Sequence, residues 1–591
     1  MKTYKIIIVF ISVFTLSCND NFMERYPLDE INDENFWRTE EDLELYCNNF
    51  YATYIRGFGY GWGTSTVSPY GYNEAIAYGD VITDNAAPQT YSTVAANEYN
   101  GYVTGESGSG GWSWTDMRRL NYFLDNYNRG DMSPEIKNGY LGEVLFFKSW
   151  DYFKKVKTFG DVPWLSHVVQ TDSPELMGER TPRAIVMDSI MFILDKAIAY
   201  LPSKGSEKAG RINKDVALHL KSRIGLYEGT YRKYHNLSLN ADKFLRASVS
   251  ASNELMSGEY SIYSTGDANN DYNNLFAQYS YSGNGEIILW KEYSADENLG
   301  VAFSRYYAQN LRHRHGATRS LVDEYLCADG LPISESPLFQ GKDSIQQEML
   351  NRDPRLKQTI CNFGEYALQE GVQGANNAPV PNLPGLSGNK CPTGYRVAKW
   401  FLNDPDDWNR VTNGMQAAPM FRYAEVLLNH AEAKYELGEL DQTILNETIN
   451  TIRERVGMPS LTLGDLPNDP ILDANYAEYC SYVPEPVLRE IRRERRVELA
   501  FENFRWDDLM RWKAGGFLEI PIEGIKFVQA QFPSVVVNAD VFLSEEGYLL
   551  PYHQSLPNGR TFNDRQYLFP IPIEDLVLNP NLTQNPGWES E

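Results

Sequence analysis

Apolar side chains recur at helical spacing over much of the chain. Two such stripes lie between residues 422 and 456, each at steps of 4, 3 and 4 residues: Ala424, Leu428, Ala431 and Tyr435, then Leu445, Ile449, Ile452 and Val456. This spacing predicts amphipathic helices. Gly438 can end the first helix and Asp441 can begin the second, since these residue types favour the two helix ends. The segment therefore predicts a helical hairpin of tetratricopeptide length.

Further hairpins follow the same pattern. One is predicted from a stripe made by Val216, Leu220, Ile224, Tyr227 and Tyr231, with a second helix near residues 241–256. Another pairs a helix around residues 140–153 with one marked by Val186, Ile190, Ile193, Ala197 and Tyr200. Each hairpin leaves an apolar face open, and stacking buries it. We predict roughly three or four stacked hairpins.

Three long segments interrupt the helical pattern. Residues 57–112 and 260–320 are rich in Gly, Asn, Ser and Tyr, and residues 365–420 add Pro. They predict long loops with short strands, one of them at residues 286–293. Long loops in a compact protein usually carry function. The predicted fold is mainly α, a helical-hairpin scaffold with a loop-rich face and few short strands.

The first residues resemble an export signal. Lys2 and Lys5 precede an apolar run over residues 6–16, which is too short to span a bilayer and suits a signal peptide. The run ends at Ser17-Cys18, as in a bacterial lipoprotein signal, so we expect residues 1–17 to be removed and Cys18 to carry the lipid anchor. Ordinary secretion with an incidental cysteine is the alternative.

The net charge limits the classes of binding partner, and the cysteine count limits the possible disulfides. The formal net charge of −25 makes nucleic acid an unfavourable partner. The Arg-rich segment 491–502 mixes Arg and Glu at helical spacing, which predicts a solvated, ion-paired helix face. The five cysteines beyond Cys18 form no disulfide framework. They leave open one bridge, between Cys361 and Cys391.

Signatures of catalysis and of cofactor binding are missing from the sequence. It contains no H-E-x-x-H, P-loop or G-x-S-x-G motif. Residues 267–278 imitate a calcium loop, but Tyr272 stands where the turn needs Gly and Gln278 where Glu belongs. An Asx-rich turn explains them better. We therefore predict no cofactor, no metal site and no enzymatic activity.

Aromatic residues are abundant and many lie in the loops. The chain has 39 Tyr, 27 Phe and 12 Trp. The segment GFGYGWG at residues 57–63 places Phe58, Tyr60 and Trp62 between glycines. Tyr and Trp combine a rigid apolar face with a polar tip, which suits a partly wet recognition surface. A sugar ring, with C–H groups on one face and hydroxyls around its rim, complements such a surface.

Several motifs, in order, resemble the SusD/RagB family of outer-membrane nutrient-binding lipoproteins of Bacteroidota. They are the Cys18 region with residues 22–54, FGDVPWL (159–165), TRSLVDEYLCADGLPI (318–333), FRYAEVLLNHAEAKYELG (421–438), RRERRVELAFENFRWDDLMRW (492–512) and YLFPIPIEDLVLNPNLTQNPGW (567–588). The resemblance covers essentially the whole chain. It implies one domain over residues 18–591, with four tetratricopeptide-like pairs and a loop-rich region.

The resemblance also implies a function. Family members capture oligosaccharides, in some cases peptides, and deliver them to a SusC-like TonB-dependent transporter in the outer membrane. The family's ligand regions, carried onto this chain, are Tyr60, Trp62, Asp84, Asn85, Trp112, Arg312, His313, Arg314 and His315. The aromatic residues of segment 57–63 could contact the ligand, contact the transporter or pack locally. The C-terminal motif is a structural signature without a ligand role.

Other possibilities stay open at this point. A glycan-active extracellular enzyme and a purely structural surface protein are the rival classes. The basic segment 311–320 suggests an anionic ligand, because arginine pairs well with carboxylate or sulfate. The alternative is that its basic residues pair with backbone carbonyls and neighbouring acids.

Overall fold

A computed structural model describes residues 36–60, 63–64, 76–91, 105–308, 314–361, 383 and 390–589. Over these residues the chain is mainly helical with few short strands, which confirms the predicted fold class. The α-helices in chain order are α1 Glu40–Tyr54, α2 Thr115–Asn126, α3 Pro134–Phe159, α4 Arg183–Tyr200, α5 Lys214–Tyr234, α6 Asp242–Met256, α7 Asp271–Phe276, α8 Phe303–Ala308, α9 Arg319–Glu324, α10 Ile345–Glu348, α11 Pro354–Thr359, α12 Pro405–Asn409, α13 Tyr423–Glu436, α14 Gln442–Glu447, α15 Ile449–Arg455, α16 Pro470–Tyr479, α17 Pro486–Glu498, α18 Arg505–Arg511 and α19 Ile573–Leu578.

The strands form small antiparallel sheets. They are β1 Gly59–Tyr60, β2 Gly63–Thr64, β3 Ala86–Ala87, β4 Ile287–Lys291, β5 Gly316–Ala317 and β6 Ala418–Arg422. Within the described part of the chain, β1 pairs with β2, β3 with β5, and β4 with β6. Strand β4 confirms the strand predicted at residues 286–293. It runs antiparallel to β6, with Ile287 opposite Arg422 and Lys291 opposite Ala418.

The predicted hairpins are present. Helix α3 packs against α4, α5 packs against α6, and α13 packs against both α6 and α5. Helices α1 and α2 lie on α3. Gly225 in α5 permits the tight α5–α6 contact, since a Cβ there would lie 2.7 Å from the Phe244 carbonyl oxygen and the Ser248 nitrogen.

The hairpin at residues 422–455 has the predicted caps and one difference. Gly438 adopts φ +70° after α13, and the Asp441 carboxylate accepts a hydrogen bond from the Ile444 N–H at 2.9 Å. The second helix is divided at Thr448, where φ is −121° and ψ is −87°. The predicted continuous helix is therefore two short helices, α14 and α15.

Two large hydrophobic clusters make up most of the core. The first lies among the helical hairpins and includes Phe147, Ile190, Leu220 and Leu428. The second lies under the loop-rich region and includes Phe58, Tyr272, Trp400 and Phe501. The scaffold and the loop-rich region thus each have an apolar interior.

Helix α17 corrects one expectation. The Arg-rich segment is ion-paired as predicted, but it is buried rather than solvated: Arg492, Arg493, Arg495 and Arg496 are each at most 3% exposed. Distant acids neutralise it; for example, Arg495 Nε lies 2.9 Å from the Asp508 carboxylate. The spacing within the segment shows the Arg and Glu pattern but does not show the acidic partners outside it. The burial of these arginines was therefore not predicted.

Three smaller expectations can also be compared with the structure. Asp267 accepts hydrogen bonds from the Asn269 N–H and the Asn270 amide, which confirms the Asx-rich turn. Cys361 and Cys391 are both buried and free, so the bridge left open by the sequence is not formed. In the part of the chain that the structure describes, no helix is long and apolar enough to cross a membrane.

Candidate functional site

The short β3–β5 ladder brings two of the predicted ligand regions together. Ala86 lies opposite Ala317 and Ala87 opposite Gly316, in antiparallel register. The ladder is extended by the Thr318 N–H, which donates to the Asn85 carbonyl at 3.0 Å. Segments 84–91 and 314–318, although more than 220 residues apart in sequence, therefore form one structural unit. We call its outer surface the β3–β5 face.

Asp84 holds this unit from beneath. Its carboxylate accepts hydrogen bonds from Arg505 Nε at 2.8 Å and Arg505 Nη2 at 2.7 Å, and lies 3.0 Å from Arg496 Nη2. Burial alone raises the pKa of Asp84, but Arg496 and Arg505 outweigh it and hold this pKa well below the ordinary value of 3.8. Asp84 is 1% exposed, so in this conformation its side chain supports the face and does not reach a ligand.

Asn85 and Asp80 continue the buried network. The Asn85 amide donates to the Asp80 carboxylate at 2.9 Å and accepts from Arg496 Nε at 2.8 Å. Burial raises the pKa of Asp80 to about 6, although Asn85 and the Phe501 N–H stabilise its ionised form. Asn85 is also 1% exposed, so it too has a supporting position.

The outer surface of the unit is polar and aromatic. Arg314 and Gln89 are both exposed, and Arg314 Nη1 donates to the Gln89 side-chain oxygen at 3.0 Å. Beside them the half-buried ring of Tyr91 lies 5.4 Å from the buried ring of Tyr552. The Tyr552 hydroxyl donates to the Pro88 carbonyl, which fixes the segment carrying Gln89. This surface offers a guanidinium, an amide and an aromatic ring to a ligand.

The other basic residues of segment 311–320 have different surroundings. His315 is 4% exposed, with its ring 5.5 Å from that of Tyr78 in an edge-to-face arrangement. Arg319 pairs with Asp323 and Glu523, and its guanidinium carbon lies 3.7 Å from the centre of the Tyr548 ring. For Arg319, pairing with neighbouring acids is therefore the arrangement present. Arg314 is the exposed cation of this segment within the described residues.

Trp112 does not join the β3–β5 face. It is 3% exposed and belongs to the hydrophobic cluster of the helical scaffold, whereas Ala86 and Ala317 belong to the other large cluster. Its ring packs edge-to-face against Phe159, with centroids 4.9 Å apart. The structure therefore places Trp112 in the helical scaffold and Asp84 beneath the β3–β5 face.

The remaining predicted positions are not placed by the structure. Trp62, Arg312, His313 and Cys18 lie outside the described residues, and for Tyr60 only the backbone in β1 is described. Sequence reasoning missed Gln89, Tyr91, Tyr552, Arg496 and Arg505. Only the register of β3 with β5 reveals Gln89 as the surface partner of Arg314. No local motif marks Arg496 and Arg505 as the partners of Asp84.

The acidic groups of this unit are engaged by the protein itself. Asp80 and Asp84 are buried beneath the face and hydrogen-bonded to the protein. Among the residues that the structure describes, no group of three or more His, Cys, Asp or Glu could hold a metal ion. What the face presents is a set of hydrogen-bonding groups on a rigid base.

Comparison with known proteins gives consistent matches. A model of the SusD family matches residues 263–588, which is more than half of the chain. SusD-like protein P2 of Formosa agariphila is 23% identical over 598 residues, with 100% of both chains covered. SusD-like protein P38 of the same organism is 23% identical over 547 residues, covering 89% of this chain and 95% of that protein.

Solved structures share the fold. A SusD-like carbohydrate binding protein from Bacteroides fragilis superposes with a TM-score of 0.71 at 21% identity, covering 93% of this chain and 100% of that one. Surface glycan-binding protein A from Bacteroides fluxus gives a TM-score of 0.58 at 16% identity, with 93% and 100% covered. At these identities the likeness concerns the architecture.

Proposed function

The chain belongs to the SusD family, and from this premise we propose that it is a non-catalytic, glycan-binding protein of the cell surface. It captures oligosaccharides and delivers them to a SusC-like TonB-dependent transporter in the outer membrane. Acylation at Cys18 anchors it there. Two solved structures of the same fold come from proteins described as carbohydrate-binding and glycan-binding, which supports the oligosaccharide as ligand.

The β3–β5 face carries the proposal. It unites the segment after the first helix with the segment before the LVDEY motif, the two regions that the family resemblance assigns to the ligand. Arg314, Gln89 and Tyr91 offer hydrogen bonds and an aromatic ring to a sugar, while Asp84 and Asn85 hold the base. The proposal also assigns ligand contact to Tyr60, Trp62, Arg312 and His313, on the strength of the family resemblance alone.

The test is calorimetric titration with soluble six-unit oligosaccharides of glucose, xylose and mannose. Arg314→Ala removes an exposed cation and its bond to Gln89, so we expect affinity to fall by about tenfold, the effect of losing one well-placed charged hydrogen bond. Arg246→Ala is the matched control, because Arg246 is an exposed arginine on helix α6, 61% accessible, in a pair with Glu439. It should change affinity less than about twofold.

The outcomes separate the classes of function. Binding without release of new reducing ends supports the proposal. Release of reducing ends during incubation contradicts the non-catalytic assignment. Equal affinity of Arg314→Ala and the wild type removes the β3–β5 face from the site, and binding of peptides with no sugar bound would make the chain a peptide-binding member of the family.

A further inference from the structure

A cleft lies on the helical scaffold, at the edge of the first hydrophobic cluster. It has a volume of about 570 Å³ and is formed by helix α2 with the residues just before it, segment 163–178 and the C-terminal helix α19 with the residues after it. Its apolar lining includes Trp112, Trp114, Leu165, Leu176, Met177 and Leu578. We call it the tryptophan cleft. From its shape and lining we propose that it binds a sugar unit at a site separate from the β3–β5 face.

The aromatic wall is the first observation. The indoles of Trp112 and Trp114 meet edge-to-face, with centroids 5.5 Å apart. Trp112 is buried and forms the inner part of the wall, whereas Trp114 is half-buried and lines the cleft. An indole presents an apolar face for ring C–H groups at little cost in conformational entropy. Trp114 is therefore the platform on which a sugar ring would stack.

The mouth supplies the polar groups that a sugar rim needs. Arg118 is exposed on α2, and it donates one hydrogen bond to the Val169 carbonyl at 2.6 Å. Across the opening His167 Nε2 lies 3.6 Å from the Glu175 carboxylate, and these two side chains are 49% and 44% exposed. Planar donors and acceptors beside an aromatic platform match hydroxyls around an apolar ring.

Two asparagines that line the cleft hold its walls together. The Asn121 amide donates to the Leu165 and His167 carbonyls at 3.1 and 2.9 Å, which fixes the segment carrying His167. Asn579 does the same for the Leu176 and Gly178 carbonyls, at 3.2 and 2.9 Å. These bonds tie the wall segments in place, and 570 Å³ lies within the range of about 300–1,000 Å³ typical of ligand pockets.

The inference rests on the proposed function for its ligand class and extends it by a second site. The C-terminal motif, to which the family resemblance gives a structural role alone, would thereby supply part of a ligand wall through Leu578. A second site on one chain would hold a long glycan at two points and raise its overall affinity.

The experiment uses the full chain labelled with 5-fluorotryptophan and observed by fluorine NMR. The Trp114 signal is assigned by its loss in Trp114→Phe. The probes are the six-unit glucose, xylose and mannose oligosaccharides. We expect at least one probe to move the Trp114 signal saturably, and Trp114→Ala to weaken that binding by about tenfold or more.

Trp164→Ala is the matched control. Trp164 is half-buried like Trp114 and adjoins two lining residues, Pro163 and Leu165, but it stacks on Tyr152 at 4.3 Å and does not line the cleft. It should change the affinity seen at Trp114 by less than about twofold. A larger effect, equal to that of Trp114→Ala, would contradict a contact at Trp114.

The remaining outcomes decide between the two sites. If a probe binds by calorimetry while the Trp114 signal stays fixed, the tryptophan cleft is not a sugar site and the proposed function stands. If no sugar binds by either method, both proposals fall. If only apolar peptides move the Trp114 signal, the cleft is a peptide site and the inference is wrong. If Arg314→Ala abolishes the Trp114 shift as well, the cleft and the β3–β5 face act as one site, and the inference of a separate site is wrong.

Discussion

Replacing Asp84 with asparagine tests whether this residue supports the fold or contacts the ligand. The change removes the charge that Arg496 and Arg505 share in a buried site. Breaking a buried ion pair from one side costs about 3–5 kcal/mol, because the remaining charge stays buried without compensation. The amide retains one acceptor for Arg505, so we expect the lower end of that range, about 3 kcal/mol.

The assay is urea unfolding at pH 7, followed by calorimetry of the folded variant with the oligosaccharide that the wild type binds. Asp188→Asn is the control, since Asp188 pairs with Lys243 at 2.8 Å and both side chains are 52% exposed. It should cost less than about 1 kcal/mol. If Asp84→Asn leaves stability unchanged but abolishes sugar binding, Asp84 contacts the ligand and its supporting role is refuted.

Further predictions follow from other contacts. Asp80 has a folded-state pKa of about 6 against an ordinary 3.8, so the wild type loses stability as pH rises from about 4 to 6, where the unfolded chain ionises and the folded protein does not. The stability of Asp80→Asn relative to the wild type should therefore increase by about 2 kcal/mol from pH 4 to 7, and a constant difference would contradict this. Gly225→Ala should cost about 1–3 kcal/mol in urea unfolding, since its Cβ meets backbone atoms at 2.7 Å; Gly139→Ala, with nothing within 4 Å, should cost nothing. Cys18→Ala should release the protein from outer-membrane fractions of cells lacking the transporter, and retention there would exclude the lipid anchor. Arg314 is the exposed cation of segment 311–320 within the described residues, and a neutral sugar carries no charge that could pair with it. Sugar affinity should therefore change less than about threefold between 0.1 and 1 M salt, and a larger loss would favour an anionic ligand.

The helical scaffold could be predicted because its signals are local. The caps at Gly438 and Asp441 and the apolar stripes depend on residues a few positions apart, and these elements form as expected. The break at Thr448 escaped prediction, because the apolar stripe continues through it while the backbone turns. Periodicity reports which face is apolar and does not report whether the helix is continuous.

The candidate site could be predicted only by region. Segments 84–85 and 314–315 do lie together, but which side chains face outward depends on the β3–β5 register and on arginines more than 400 residues from Asp84. A buried aspartate with two buried arginine partners and an exposed ligand-binding aspartate look alike in sequence. The sequence likewise does not show that Trp112 packs in the helical scaffold, because its contact with Phe159 joins residues that are distant in sequence.

The most direct test of the proposed function is a crystal structure of the protein with a bound oligosaccharide that titration has shown to bind. We expect intact sugar against Gln89, Tyr91 and Arg314, with Asp84 still paired to Arg496 and Arg505 beneath it. Cleaved sugar, or sugar bound with no unit on the β3–β5 face, would contradict the proposal.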